Sequence, residues 1–445
     1  MFKRILIFIF FVFVITALSL VKIFGFGFTT INQPQINFIS KPVGIGLNPS
    51  KAKFEIIDED SGLYEISVTL KYNSKKNTIV KKKYLSGEKR DTIEIDLPSK
   101  KDDIKDRFVE LEILAYDNSF WVTPARFDLS LPIDFRKPQI EVISTQHNFY
   151  RGGTQLVIFK ARDNESPSLQ RVGLKVGSNF YQAFMASKVG YQSSFPADTF
   201  LALFAMPYEY DDEVDPPLIS VDDEVLNNSK LSFYYKLKDV RSVNRSTDLK
   251  TSELPKEFLA LLDFFKLSTS YCEKNSGAQP VQFGLENFQR PIVGPERMSF
   301  GDIRNGKYGD QILFSYRYPG VEVLYQTDQV AVAPANGRVH SILDFGQFGY
   351  ALIIDHGLNL FSSMYGLDQL SVESGNLVSK GDRLAVTKKN NKINSILENA
   401  YSSGYFFSLC NTPVRPSEFL DPTWFNEHIR KKIQQFSSNL QDIQN

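Results

Sequence analysis

Four histidines (His147, His340, His356 and His428) and two cysteines (Cys272 and Cys410) are the only imidazole and thiol donors in a chain of 445 residues. A zinc centre draws its ligands largely from those two residue types, so the arithmetic alone makes a metalloenzyme difficult. Other chemistries fare no better. There is no G-x-S-x-G elbow for a serine nucleophile, no phosphate-cradling glycine loop, and no Cys/His pair at a motif spacing. The acidic loop Asp211-Asp212-Glu213-Val214-Asp215 lacks the spaced Asp/Asn-Gly order of a calcium loop and reads as solvated. Cys272 and Cys410 stand 138 positions apart, a spacing that fits a disulfide in an oxidising compartment and two buried thiols equally well.

The elements that would position any site are mostly strands. Phe (37) and Tyr (20) far outnumber Trp (2) and Met (5), an aromatic composition that suits pleated sheets. Hydrophobic residues make up 42%, enough for real cores, and the length suggests about three domains at roughly 150 residues each. Lys plus Arg equals Asp plus Glu at 51 each, which argues against a nucleic-acid partner.

Residues 1–28 open with Lys3-Arg4 and continue as a long apolar run interrupted by Lys22. This predicts an export signal or membrane anchor that leaves the bulk of the chain outside the cytoplasmic membrane. An uncleaved single-pass anchor is the preferred reading, with cleavage near Ala17-Leu18-Ser19 as the alternative. Residues 29–135 read as a β-sandwich-like domain: Tyr64, Ile66, Val68, Leu70 and Tyr72 alternate with polar residues at period two. Its lysines (Lys75, Lys76, Lys81, Lys82, Lys83) mark a solvated, charged edge. Residues 136–248 read as a second β-rich domain. Residues 249–284 form a helical connector, with Phe258, Leu259, Leu261, Leu262 and Phe265 at helical spacing after Pro255. In 423–445, Phe425, Ile429, Ile433, Phe436, Leu440 and Ile443 step by three and four behind an Asp421-Pro422 cap, giving an amphipathic helix.

Between these, residues 285–422 carry ordered motifs. They are Ser299-Phe300-Gly301-Asp302, Ala333-Pro334-Ala335-Asn336-Gly337-Arg338-Val339, Gly349 through Leu358 with its Asp355-His356-Gly357 turn, Gly375 through Asp382, and Pro416 through Pro422. In that order and spacing they resemble the lysostaphin/LytM-type zinc endopeptidases that cut peptidoglycan, whose fold is the duplicated hybrid motif. The resemblance implies a compact, mostly antiparallel sheet, and the pattern of short strands and Gly-rich turns agrees.

The resemblance also implies a zinc site built from "H-x-x-x-D", "Y-x-H-L" and "H-x-H" motifs, and here this chain departs from the family. In one alignment Asp328 takes the first His position; in the other Tyr318 and Glu322 stand for His and Asp. Gly366 fills the His of "Y-x-H-L", and Tyr405 and Phe407 fill "H-x-H". The expected cleft positions are therefore Glu322, Asp328, Gly366, Tyr405 and Phe407, none of them catalytic or metal-holding. A lone carboxylate without imidazole or thiolate partners holds zinc poorly. His356 belongs to a structural turn. The expectation is a pseudoenzyme without cofactor, zinc being what active relatives would bind. Its expected partners are peptidoglycan or a wall hydrolase, together with the membrane through the N-terminal segment.

Overall fold

The computed structural model describes residues 32–85, 88–119, 124–145, 147–164, 168–189, 195–254, 256–269, 284–346, 349–388 and 401–438, with three isolated positions before them. Apart from those positions, the segment read as an anchor over 1–28 lies outside the described residues, as does Cys272. Among the described residues no helix is long and apolar enough to cross a membrane. The chain divides into two compact units. One is Met1–Pro138 with Asp163–Gln170 and Asp222–Asn228; the other is Gln139–Arg162, Arg171–Val221 and Ser229–Asn445.

The first unit is the expected sandwich. A three-stranded sheet (Gln35–Ser40, Lys51–Ile57, Arg90–Asp96) and a four-stranded sheet (Lys75–Lys83, Leu63–Tyr72, Phe108–Asp117, Ala125–Pro132) share one core that includes Phe54, Ile93, Val68 and Leu111. Period-two burial holds at Ile66, Val68 and Leu70, but Tyr64 is exposed and Leu63 is buried instead. A register shift between Leu63 and Glu65, where the strand meets Phe108–Asp117, moves the pattern by one residue. The Lys75–Lys83 strand is the charged edge: Lys76 pairs with Glu112, Lys82 with Asp91, and Lys81 and Lys83 with Glu65.

The second unit joins what the sequence pattern separates. Phe184–Met185, Thr199–Ala205, Thr154–Arg162 and Gln139–Val142 form one antiparallel sheet. Asn244–Asp248, placed by the sequence at the end of the second β-rich domain, instead pairs in parallel with Ile303–Tyr308. That pairing crosses the expected 249–284 connector. The C-terminal sheet runs Glu296–Met298, Val321–Tyr325, Tyr401–Leu409, Leu360–Asp368, Tyr350–Asp355, Gly337–Asp344, Leu377–Val378. Its pairings are antiparallel, as expected. Gly357 (φ +88°) and Gly381 (φ +91°) take the left-handed conformation that their turns require.

Two helical segments pack on this unit. Lys256–Thr269 buries Leu261 and Phe264 while Leu259 is exposed, so Phe264 takes the inward place that the sequence pattern gave to Leu259. The C-terminal segment begins as expected, with the Asp421 side chain accepting from Thr423 N–H and Pro422 in the first turn. A π-turn over Asn426–Arg430 then carries Phe425, Ile429 and Ile433 inward. Leu440 and Ile443 lie outside the described residues.

Candidate functional site

The central strand Tyr401–Leu409 pairs without a break on both sides, Glu322 lying opposite Gly404 and Gly404 opposite Tyr365. Since alternate residues of a strand face opposite ways, Ser402, Gly404 and Phe406 share the face of Glu322 and Tyr365. Contacts agree. Ser402 Oγ donates to Glu322 Oε1 at 2.9 Å. A Cβ on Gly404 would come within 2.4 Å of Tyr365 Oη, so glycine leaves the room that this phenol fills.

Glu322 is 1% exposed. Arg297 Nη1, on the paired strand Glu296–Met298, stands 3.5 Å and Arg304 Nη1, on Ile303–Tyr308 of another sheet, 3.6 Å from its carboxylate oxygens. Burial opposes the charge on Arg304, but the Glu322 carboxylate outweighs it and holds the guanidinium above its ordinary range. Tyr318 and Tyr365 share a hydroxyl–hydroxyl hydrogen bond. Burial pushes both phenols well above their ordinary value, which keeps them protonated.

This face is also covered. Phe264 of the Lys256–Thr269 helix meets Tyr365 at 5.6 Å and Phe406 at 5.5 Å between ring centroids, and Phe265 meets Tyr318 at 5.9 Å. Leu261, Phe264, Ala351, Tyr365 and Phe406 form one small core.

Of the five positions expected to line the cleft, Glu322 alone belongs to this face. Tyr405 and Phe407 point the other way, where Phe407 packs on Phe288 and Phe419. The "H-x-H" slots thus fall one residue away from the face of Glu322: the two side chains do share a face, but Gly404, not Tyr405, stands across from Glu322. Gly366 lies at φ +73° and offers its carbonyl to Lys388 N–H and Ser403 Oγ. Asp328 is exposed, in the loop before Val330–Val332, apart from Glu322. Tyr318 and Glu322 do come together, both buried beside Tyr365.

The histidines are engaged elsewhere. His356 is buried, its Nδ1 2.8 Å from the Asn336 carbonyl and its Nε2 2.7 Å from Ser362 Oγ, with Phe288 against the ring. Burial lowers it to about 4. His147 and His428 bond to Tyr234 O and Gln155 Nε2. A catalytic zinc needs three protein donors, imidazole or thiolate chief among them, and an open fourth place. The Glu322 face supplies one carboxylate, a serine hydroxyl and phenols beside two guanidinium cations that would repel a dication. These residues do not fit the metal. Among the described residues, Asp134, Asp163 and Asp223 gather ligand atoms within 4.8 Å of one another, but in the first unit and as a hard-oxygen set.

Arg297, Arg304, Ser402 and Phe264 are the participants that sequence reading missed. The available signal was Glu322 itself, since a carboxylate in an apolar strand needs a compensating partner.

Residues 316–399 match Peptidase family M23. The chain carries a peptidase M23 domain. Solved structures of similar type include a peptidase M23 from Pseudomonas aeruginosa, 16% identical over 61% of this chain and 95% of that one, TM-score 0.38. Lysostaphin is 13% identical over 31% of this chain and 55% of that one, TM-score 0.22. Helicobacter pylori Csd3 is 9% identical over 78% and 82%, TM-score 0.27. No curated protein matches the chain.

Proposed function

We propose that this M23 domain is catalytically silent and serves the cell envelope as a wall-binding scaffold or a regulator of wall hydrolases. The N-terminal segment holds it at the membrane with the bulk of the chain outside the cytoplasm. The observation that supports the reading is the buried Glu322 carboxylate flanked by Arg297 and Arg304, whose positive charge would repel a metal dication at this face. A zinc-hydroxide mechanism needs a vacant coordination place and an imidazole to move protons, and neither fits among Ser402, Gly404, Phe406, Tyr318 and Tyr365. The protein works without a cofactor.

The experiment is a metal analysis of the purified full chain, paired with a peptidoglycan cleavage assay and sedimentation with purified sacculi. The expected result is substoichiometric zinc, no cleavage and co-sedimentation or capture of a wall hydrolase. Stoichiometric zinc with turnover would establish an active endopeptidase with unconventional ligands and overturn the reading.

A further inference from the structure

The C-terminal arm, from Pro416 through Ser438, is seated on the start of the Thr154–Arg162 strand by buried polar groups rather than by apolar packing alone. Glu418, 3% exposed, accepts at Oε2 from Thr154 N–H (2.7 Å) and Thr154 Oγ–H (2.8 Å), while its Oε1 is buried with no hydrogen-bond partner. Gly153 lies so close that a Cβ there would meet Glu418 Oε1 at 2.3 Å, so water has no room to enter from that side. Fourteen residues further on, Lys432, 7% exposed, donates to Gln155 Oε1 (2.8 Å) and to the Leu156 carbonyl (3.1 Å). The same Gln155 donates to Asn148 O and sits 2.7 Å from His428 Nδ1. Both ionisable groups are thus held by neutral partners, and a buried charge so held is costly.

We propose that the arm is a proton-responsive clasp: charge on Lys432 or on Glu418 loosens its seat on the Thr154–Arg162 strand, and loss of either charge tightens it. Phe419 and Phe425 ride on the same arm and close the aromatic face of Phe288 and Phe407. Loosening would expose that face and free the Thr154 strand together.

The charged surroundings set the direction. Burial raises Glu418 to about 7, opposed in part by the Thr154 bonds and Arg415. Burial lowers Lys432 to about 7. His147 from the facing strand and His428 on the arm are both lowered to about 4, by burial and then by Lys432, with Glu427 acting the other way on His428. For Lys432 the unfolded group holds its proton up to about 10.5, so the seat gains stability as pH rises from about 7 toward 10.5. For Glu418 the folded group holds the extra proton, so its contribution is full below about 4.5 and is lost as pH rises to about 7. The two histidines act against Glu418 below about 6.5, favouring the fold as pH rises.

Hydrogen exchange of the full chain across about pH 5 to 9.5, corrected for intrinsic rates, reads the clasp directly. Protection of 154–160 and 416–433 should rise several-fold from pH 7 to 9.5, while the core strand Phe108–Asp117 serves as reference. Lys432→Met should flatten that rise. The protection ratio of wild type to Glu418→Gln should fall as pH climbs from 5 to 7. A wild-type profile flat above pH 7 overturns the proposal whether or not either variant folds; so does a Lys432→Met variant that keeps the rise. A pH-independent Glu418→Gln ratio removes the Glu418 half. None of these readings depends on whether the M23 domain binds zinc.

Discussion

Two glutamates, Glu322 and Glu418, are both almost wholly buried, and the fold treats them in opposite ways. Glu322 has two guanidinium groups at 3.5 and 3.6 Å and a serine hydroxyl at 2.9 Å. Glu418 has a backbone N–H and a threonine hydroxyl, and burial raises it to about 7. A buried carboxylate beside cations is compensated by charge; one whose hydrogen bonds come only from neutral donors keeps its proton to higher pH, as Glu418 does. The first arrangement suits an ion pair built into the core. The second suits a joint that responds to its surroundings.

The sharpest way to break this contrast is Arg304→Met. Removing one partner of a buried ion pair leaves an uncompensated charge and should cost about 3–5 kcal/mol in urea unfolding. A loss below about 1 kcal/mol would mean that Glu322 is not held by charge at all. Next in size, Gly404→Ala should cost about 1–3 kcal/mol, because its Cβ collides with the Tyr365 ring and the crowding must be relieved. A neutral result would show that Tyr365 is not locked on the Glu322 face. On the other glutamate, Thr154→Val removes a neutral hydroxyl donor and should cost only about 0.5–1.5 kcal/mol. If it matched Arg304→Met, the two carboxylates would not differ in kind. Smallest of all, Tyr405→Phe deletes a buried hydroxyl without a hydrogen-bond partner on the face away from Glu322. Its unfolding free energy should change by less than about 1 kcal/mol, toward stabilisation.

Much of the scaffold was legible in the residues. The Gly-rich turns, the antiparallel C-terminal sheet, the first sandwich and the Asp421-Pro422 helix start follow from period-two patterning and turn chemistry, which are local. The candidate site was legible only in part: Glu322 could be picked out, but its partners Arg297, Arg304 and Ser402 could not. What was misread turned on a single residue of register, which put Tyr405 and Phe407 on the wrong face, and on a bulge that exposed Tyr64.

By itself the sequence determined the donor inventory and the strand alphabet, because both are properties of residues and their near neighbours. Only the tertiary structure decided which charges meet. Glu322 and Ser402 are 80 positions apart, and Thr154 and Glu418 are 264 apart. No local pattern encodes a contact of that span; it exists only once chain crossings have brought the strands side by side. The protonation behaviour of a buried carboxyl then depends on whatever cation or hydroxyl those crossings have left beside it.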